Sequence, residues 1–281
     1  MPEKCDGIAI FINPESGEAQ YALKSILEEA KRVGEKAFIV EECLFGKRPL
    51  IEGEVSSISK RKPCWTIVVG GDGTLLKAIR YNEIRKSVIS TVGAGRRCFY
   101  FDITTKEMKG LVNMLKEGRY VEQNLWMMKA EFDNKAEPFL NESVISGGGL
   151  KVMELLVRIN GDELSRIAGD GIIVATASGS SAYSLSAGGP IVDPFLPSAI
   201  ITPLNSMTLH ARPVVTEPFS AIEVEILKGT GNERLVIDGQ LELSAPKKMR
   251  FTLYESPLRL ARVRWMRFYE RVVGGRCGHS I

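Results

Sequence analysis

Histidine is scarce in this chain, and paired cysteines are missing from it. Only His210 and His279 occur among 281 residues, which disfavours a histidine-built metal centre and a Ser-His-Asp triad. The cysteines are five in number, far apart and without a Cys-x-x-Cys pair. They are Cys5, Cys43, Cys64, Cys98 and Cys277. This pattern predicts reduced thiols of a cytoplasmic protein, not a disulfide framework or a zinc site.

The sequence also lacks long apolar runs and a strong charge of either sign. No window approaches the roughly 20 apolar residues of a membrane span, and the acidic start of the chain does not predict a signal peptide. A net charge of +3 implies neither a nucleic-acid nor a membrane partner, although a mild positive bias suits a ligand that carries phosphate. The length of 281 residues favours two domains over one.

Residues 66–80 contain the clearest functional signal. A β-branched apolar run at 66–69 stops at Gly70 and Gly71, and residues 74–80 follow with the apolar spacing of a helix. A glycine turn before a helix exposes backbone N–H groups and favours phosphate. Asp72 is the only carboxylate there, so it is expected either to polarise an attacking hydroxyl or to hold Mg²⁺ against the phosphates. A simple Asp-Gly hairpin turn is the alternative, disfavoured because a helix follows.

The first 120 residues show alternating strand and helix patterns. Strands are predicted at 7–12, 37–40 and 87–92, and helices at 19–33 and 103–118. This order predicts an α/β domain with a largely parallel sheet, in which ligands bind beyond the carboxyl ends of the strands. Arg96 and Arg97 follow the strand at 87–92 and could meet phosphate, although exposed turn arginines explain them about as well.

Beyond residue 120 the pattern changes to short β-branched or alternating segments. Residues 121–261 therefore predict a second, all-β domain of sandwich type. The end of the chain, residues 262–281, includes a basic helical pattern at 265–273 and is expected to return to the first domain.

Two polar stretches of the β region are candidate binding residues. Asn141 and Glu142 place an amide beside a carboxylate, a pair that could bind a nucleoside, although a surface dipeptide is the simpler explanation. Residues 169–190 open from a strand into a run of hydroxyls and glycines around Tyr183. A flexible linker would not carry Tyr183 and Leu185 between buried strands, so a polar pocket is the better interpretation.

Taken in order, these stretches resemble the motifs of the NAD kinase family, from about residue 66 to residue 239. The similar segments are Gly70-Gly71-Asp72-Gly73-Thr74, Asn141-Glu142, residues 169–190, residues 201–203 with 212–213, and residues 237–239. The first motif has relatives in diacylglycerol, sphingosine and phosphofructo-kinases, whereas the third is far more specific.

The resemblance implies homodimers or homotetramers and a Mg²⁺-dependent transfer of the terminal phosphate of ATP, or of polyphosphate, to the 2′-hydroxyl of the adenosine ribose of NAD. Asp72 would act as the base or polarising group for that hydroxyl, and the phosphate donor would meet Gly70, Gly71, Thr74, Arg96 and Arg97. The NAD site would be lined by Gly73, Phe99, Asn141, Glu142, Asp170, Ser178, Ser181, Ala182, Tyr183 and Ser186. No metal site built from the protein alone is expected.

The chain departs from the family pattern in two places. Where the family usually has Gly-x-Asn-x-Gly, residues 91–95 are Thr-Val-Gly-Ala-Gly, and Cys98 replaces a glycine before Phe99. In the third motif, residues 176–183 differ but keep their hydroxyls. Two further hypotheses therefore stand beside an NAD kinase: a lipid or sugar kinase of the same superfamily, and a nucleotide-binding regulator without catalysis.

Overall fold

The chain forms two units. The computed structural model, which describes residues 5–44, 53–94, 98–148, 151–264 and 268–274, divides into Met1–Asn124 with Leu258–Ile281, and Leu125–Pro257. The boundaries expected from the sequence, after residue 120 and before residue 262, each lie four residues from these divisions.

The secondary structure follows in chain order. The first part contains β1 (Ile8–Ile12), α1 (Gly17–Val33), β2 (Ala37–Val40), β3 (Val55–Ser56), β4 (Trp65–Gly70), α2 (Asp72–Ala78), α3 (Asn82–Lys86), β5 (Val88–Gly93), β6 (Ile103–Thr104), α4 (Leu111–Lys116) and β7 (Val121–Leu125). The middle contains β8 (Met128–Phe132), β9 (Lys135–Phe139), β10 (Glu142–Ser146), β11 (Met153–Ile159), β12 (Asp162–Gly169), β13 (Gly171–Thr176), α5 (Tyr183–Ser186), β14 (Ala199–Leu204), β15 (Val214–Thr216), β16 (Ile222–Lys228), β17 (Arg234–Ile237), β18 (Leu241–Ser244) and β19 (Lys248–Leu253). The end contains β20 (Leu258–Arg262) and α6 (Phe268–Gly274), and three short 3₁₀ helices lie at Glu41–Leu44, Ile58–Lys60 and Ser178–Ser181.

The first unit is built on an eight-stranded sheet with the order β3-β2-β1-β4-β5-β20-β7, to which β6 adds through β5. Its central strands are parallel and buried on both faces, as their continuous apolar runs require. Because β1, β4 and β5 run in the same direction, the segments after Ile12, Gly70 and Gly93 leave the sheet at one edge. The predicted α/β fold with a largely parallel sheet is confirmed.

Helix α1 shows how local sequence sets an element's ends. The Ser16 hydroxyl accepts the N–H of Ala19 at 3.3 Å and caps the amino terminus. Gly34 ends the helix at φ 73°, and its N–H bonds back to the carbonyls of Ala30 and Lys31. The expected helix of residues 19–33 is therefore present and begins two residues earlier.

The helix expected at 103–118 is wrong over its first half. Residues Ile103–Thr104 form strand β6, and a helix begins only at Leu111. Gly110 has φ 85°, a left-handed conformation that interrupts helical hydrogen bonding. The buried carboxylate of Glu29 then accepts the N–H groups of Gly110 and Asn113, at 3.2 and 3.3 Å. The apolar residues of this stretch keep helical spacing across the break in the helix, so the spacing alone does not reveal it.

The second unit consists of two six-stranded antiparallel sheets, β15-β14-β13-β10-β17-β18 and β12-β11-β16-β19-β8-β9. Apolar residues of both sheets share one core, in which Phe139 and Phe251 meet edge to face with ring centroids 6.4 Å apart. The all-β, sandwich-like domain predicted from the sequence is confirmed. A smaller core around Ile173 and Val192 covers the other face of the first of these sheets.

The carboxyl-terminal segment returns to the first unit, as the sequence predicted. Strand β20 pairs with β5 in parallel, with Leu260 opposite Ile89. Helix α6 follows, and its first residue, Phe268, is buried against the ring of Phe99 with centroids 5.4 Å apart. In the part of the chain that the structure describes, no helix has the length and apolarity needed to cross a membrane.

Two of the five cysteines form a disulfide, so the prediction of reduced thiols is wrong for them. Cys5 and Cys64 are bonded, with Cα atoms 5.2 Å apart. They meet because β1 and β4 are neighbours: the Cys64 N–H donates to the Gly7 carbonyl at 2.9 Å. Cys43 and Cys98 are buried and form no disulfide within the described residues, and Cys277 lies outside those residues.

We expect this disulfide to stabilise the first unit. Breaking a bridge that closes a loop of this length typically costs about 2–4 kcal/mol, because the unfolded chain regains freedom. Cys64→Ser and Cys5→Ser should each lower the urea midpoint by the same amount, since each removes the same bond. Reductant should lower the midpoint of the unmodified protein equally and leave both variants unchanged. An unmodified protein whose midpoint ignores reductant would contradict the expectation.

Candidate active site

The turn between β4 and α2 combines a tight backbone with an exposed surface. A Cβ on Gly70 would collide with the Thr74 side chain, so this position needs glycine. The Thr74 N–H donates to the Gly71 carbonyl at 2.8 Å, and the Gly71 N–H donates to Thr74 Oγ1 at 3.4 Å. Gly73 is exposed, and among the described residues no atom beyond its chain neighbours and its own helix backbone lies within 4 Å of where a Cβ would be. The predicted strand, glycine turn and helix are present, and the turn's backbone is open to a ligand.

Asp72 begins α2, and its carboxylate is held by the segment that follows β5. The N–H of Phe99 donates to both carboxylate oxygens, at 2.8 and 2.6 Å, and the N–H of Tyr100 donates to Oδ1 at 3.0 Å. These bonds fix the orientation of a side chain that is still half-buried and not enclosed. Asp72 is thus a positioned carboxylate at the carboxyl edge of a parallel sheet.

Two arginines from the end of the chain hold the same segment by its carbonyl groups. Arg271 donates to the Phe99 carbonyl at 2.7 Å, and Arg262 donates to the Tyr100 carbonyl. Arg262 is almost fully buried, lies 3.7 Å from Asp102 and donates to Gln123 at 2.7 Å. The peptide whose N–H groups orient Asp72 is therefore fixed from its other side.

The surroundings of Asp72 act on its proton affinity in opposite directions. Burial raises the pKa of this carboxyl, whereas the N–H groups of Tyr100 and Phe99 and the positive charges of Arg271 and Arg262 lower it. The net direction is upward, which makes the carboxylate a stronger base than an exposed aspartate.

A second group of functional candidates lies in the other unit, around Asn141 and Glu142. Both side chains are buried, at the point where β10 begins. The Asp238 carboxylate accepts the backbone N–H groups of Leu140, Asn141 and Glu142, at 2.8, 2.7 and 3.1 Å. Among the described residues, Glu142 Oε2 and Ser178 Oγ are buried without a hydrogen-bond partner.

The pKa of the Glu142 carboxyl group is strongly raised. Burial and the negative charge of Asp238 raise its pKa to about 8, against a smaller opposing effect of the Tyr183 N–H. Buried polar atoms normally have partners, so Glu142 Oε2 and Ser178 Oγ, which lie near each other's segments, are candidates for contact with a polar ligand.

The stretch 169–190 packs closely on this group. Gly179 approaches the backbone of Asn141 so closely that a Cβ would collide with it. The Thr176 hydroxyl donates to the Leu140 carbonyl and accepts the Gly179 N–H at 3.1 Å. Tyr183 is 48% exposed, a large ring left open to solvent beside these buried polar atoms. Ser181 and Ala182 are half-buried, and Ser186 is exposed.

Asp170 lies apart from the residues around Glu142 and Ser178. It is exposed at the start of β13, where its carboxylate accepts the side-chain amide of Asn205 at 2.8 Å, whereas Ser178 follows the end of that strand. Six strand residues lie between, roughly 20 Å at about 3.3 Å per residue. Arg96 and Arg97 lie outside the described residues.

Within the described residues, no group of three or more histidine, cysteine, aspartate or glutamate side chains could hold a metal ion. Asp72 is a single half-buried carboxylate at an open glycine turn. Mg²⁺ typically binds through one or two carboxylates together with substrate phosphates, so this arrangement fits an ion that arrives with a nucleotide.

Three residues of these groups were not assigned a role from the sequence: Asp238, Arg262 and Arg271. Residues 237–239 resembled a family motif, but nothing local indicates that Asp238 binds the backbone of residues 140–142. The sequence predicts a basic helix at the returning end of the chain, and Arg271 lies in that helix.

Comparison with known proteins agrees with this geometry. The profile of the ATP-NAD kinase C-terminal domain matches residues 140–265. An NAD kinase of Aeropyrum pernix is 31% identical over 94% of this chain and 96% of its own length. An NAD kinase of Thermococcus sibiricus is 33% identical over 84% of this chain and 85% of its own.

Two solved structures share the fold. Yeast NADH kinase complexed with NADH superposes with a TM-score of 0.83 at 19% identity, covering 97% of this chain and 87% of that one. An NAD kinase from Archaeoglobus fulgidus in complex with ATP superposes with a TM-score of 0.73 at 22% identity, covering 95% and 96%. The curated relatives, matched along most of their length, carry the assignment: this chain belongs to the NAD kinase family.

Proposed function

We propose that this protein is an NAD kinase that transfers the terminal phosphate of ATP, or of polyphosphate, to the 2′-hydroxyl of the adenosine ribose of NAD. The observation that carries the proposal is the Asp72 carboxylate, held by the N–H groups of Phe99 and Tyr100 at an open glycine turn. Phosphoryl transfer depends on an oriented acceptor and on charge neutralisation more than on covalent catalysis. A positioned base and a backbone-rich turn meet those needs.

Asp72 is the proposed base. Its carboxylate accepts the proton of the 2′-hydroxyl as that oxygen forms a bond to the terminal phosphorus, and the bond from this phosphorus to the bridging oxygen breaks. The remaining diphosphate or shortened polyphosphate leaves with the bridging oxygen. The raised pKa of Asp72 suits this role, because burial makes proton acceptance more favourable.

The donor phosphates and Mg²⁺ are assigned to the glycine turn. Gly70, Gly71 and Thr74 shape a backbone that phosphate can approach, and Mg²⁺ bound to the phosphates would offset their charge when present. Arg96 and Arg97 remain predicted donor contacts. The ATP named in the Archaeoglobus fulgidus structure supports ATP as the donor.

NAD binding is assigned to the second unit, with Gly73 and Phe99 as predicted contacts in the first. The buried, unpartnered Glu142 Oε2 and Ser178 Oγ offer polar groups to a nucleotide, and exposed Tyr183 offers an aromatic face. The NADH named in the yeast structure supports a dinucleotide acceptor. Membership of the NAD kinase family argues against a lipid or sugar acceptor, and the positioned Asp72 argues against a regulator without catalysis.

A cytoplasmic location remains a prediction. It is based on the composition of the chain and on the expectation that its cysteines are reduced. That expectation is wrong for Cys5 and Cys64, which form a disulfide, two of the five cysteines.

The activity and the role of Asp72 are tested together. NADP formation, followed with an NADP-specific dehydrogenase, should appear with NAD, Mg²⁺ and at least one of ATP and polyphosphate. Asp72→Asn keeps the side-chain size but removes the basic oxygen, so kcat should fall by about 10²–10⁴ while NAD affinity changes little. Asp162→Asn, at an exposed strand start, should leave kcat unchanged. No NADP with any donor would refute the function, and a near-normal kcat for Asp72→Asn would refute the role alone.

The position of Asp170 supports a homo-oligomer. If Asp170 lines the NAD site as the resemblance implies, its own chain holds it roughly 20 Å from Ser178 across β13 at about 3.3 Å per residue. A second copy must then supply it. In the predicted homodimer or homotetramer, a site shared by two copies would then include Asp170.

Mixed oligomers test this arrangement. Asp170→Ala and Glu142→Ala should each weaken NAD binding in a pure oligomer. When the two variants are co-expressed, mixed dimers should contain sites that carry neither change. Random pairing makes half of the dimers mixed, and each mixed dimer has one such site. For two-fold dimers, about a quarter of all sites should therefore be intact. A co-expressed sample that binds NAD no better than the average of the two parents, or a monomer by analytical ultracentrifugation, would rule out the shared site.

A further inference from the structure

The turn between β17 and β18 contains a carboxylate that the turn itself does not require. Asp238 and Gly239 are both left-handed, at φ 50° and 63°, and the Gln240 N–H donates to the Ile237 carbonyl at 2.9 Å. This is the ordinary geometry of an Asp-Gly hairpin turn, in which an aspartate side chain can stay in solvent. Here Asp238 is only 4% exposed. Its burial needs another explanation.

The buried carboxylate is bound by three consecutive backbone N–H groups. Leu140, Asn141 and Glu142 donate to it at 2.7–3.1 Å, across a sequence separation of 96 to 98 residues. The contact is reciprocal, because the Asp238 N–H donates to the Glu142 carbonyl at 2.9 Å. Such donors favour the ionised form of a carboxyl group. The backbone from which the Asn141 and Glu142 side chains extend is therefore fixed by a negative charge.

That charge acts on Glu142, which is also buried. The effects on the Glu142 carboxyl are burial, the charge of Asp238 and the N–H of Tyr183, and the first two raise its pKa to about 8. The other charged pair of this hairpin, Arg234 with Glu242, is exposed and is not among the causes that shift the pKa of Glu142. Two like charges in one buried place are unfavourable, so one carboxyl of the pair retains its proton.

We propose that Asp238 is a positioning residue for Asn141 and Glu142, whose backbone its buried carboxylate fixes. The charge of Asp238 also favours the protonated form of the buried Glu142 carboxyl. Glu142 then offers the ligand a hydrogen-bond donor as well as an acceptor, which an ionised glutamate cannot do. The inference rests on the proposed function, because it takes NAD to be the ligand of this group.

The test is NAD binding to the full-length protein by calorimetry, with NAD alone, from pH 6 to pH 9.5. For the unmodified protein the NAD Kd should rise above about pH 8, where Glu142 loses its proton. Asp238→Asn keeps a side-chain oxygen for the N–H groups and removes the charge, so the rise should begin about 1–2 pH units lower. Glu142→Gln, a permanently neutral amide, should show no such rise.

A matched control separates the charge of Asp238 from charge in general. Glu242→Gln removes a carboxylate from the same hairpin, but one that is exposed and paired with Arg234. The pH at which its NAD Kd rises should equal that of the unmodified protein. A purely structural role for Asp238 would lower stability in Asp238→Asn without moving the pH of the rise.

Several outcomes would overturn the inference. One is an unchanged inflection in Asp238→Asn. Another is a loss of NAD affinity of more than about tenfold in Glu142→Gln, relative to the unmodified protein at pH 6.5, because such a loss would require an ionised Glu142. This second outcome does not depend on whether Asp238→Asn folds. NAD binding without any inflection would overturn the inference and leave the function intact. No NAD binding at any pH, and no NADP formation, would instead refute the proposed function.

Discussion

A carboxylate withdrawn wholly or partly from water must be solvated by the chain itself, and backbone N–H groups provide that solvation in both groups of functional candidates. Asp72 accepts the N–H groups of Phe99 and Tyr100, and Asp238 accepts those of residues 140–142. In each case the acidic side chain and the backbone segment fix one another, because hydrogen bonds to a charged acceptor are stronger than those between neutral groups. The side chains proposed to do chemistry lie at or beside these contacts.

In the first unit this arrangement depends on the end of the chain. Strand β20 and helix α6 bring Arg262 and Arg271 to the carbonyl groups of Tyr100 and Phe99, so the peptide that orients Asp72 is bound on both sides. Burial lowers the pKa of Arg262 to about 10, and the nearby Asp102 opposes this. Removing one partner of such a pair leaves an uncompensated buried charge, which is strongly destabilising. Fold and candidate site therefore share the same contacts.

The sequence predicted what local patterns determine. The strand, glycine turn and helix around Asp72 follow from spacing within fifteen residues, and the parallel sheet and the β sandwich follow from the order of such patterns. The contacts of Asp238, Arg262 and Arg271 join residues 96 to 172 positions apart, which no local pattern records. The Cys5–Cys64 disulfide escaped prediction for the same reason, since it requires β1 to lie beside β4. The helix expected from residue 103 failed because Gly110 adopts a left-handed conformation that apolar spacing does not show.

Neighbouring charges give the two candidate acidic side chains different properties. Burial raises the pKa of both Asp72 and Glu142. Arg271 and Arg262 oppose this at Asp72, whereas Asp238 adds to it at Glu142. Cations near a carboxyl favour its ionised form and an anion favours its protonated form, so the same kind of side chain is suited to accept a proton in one place and to donate a hydrogen bond in the other. The difference comes from residues outside the motifs that contain Asp72 and Glu142. It is set by the return of the chain's end in one unit and by a hairpin turn in the other.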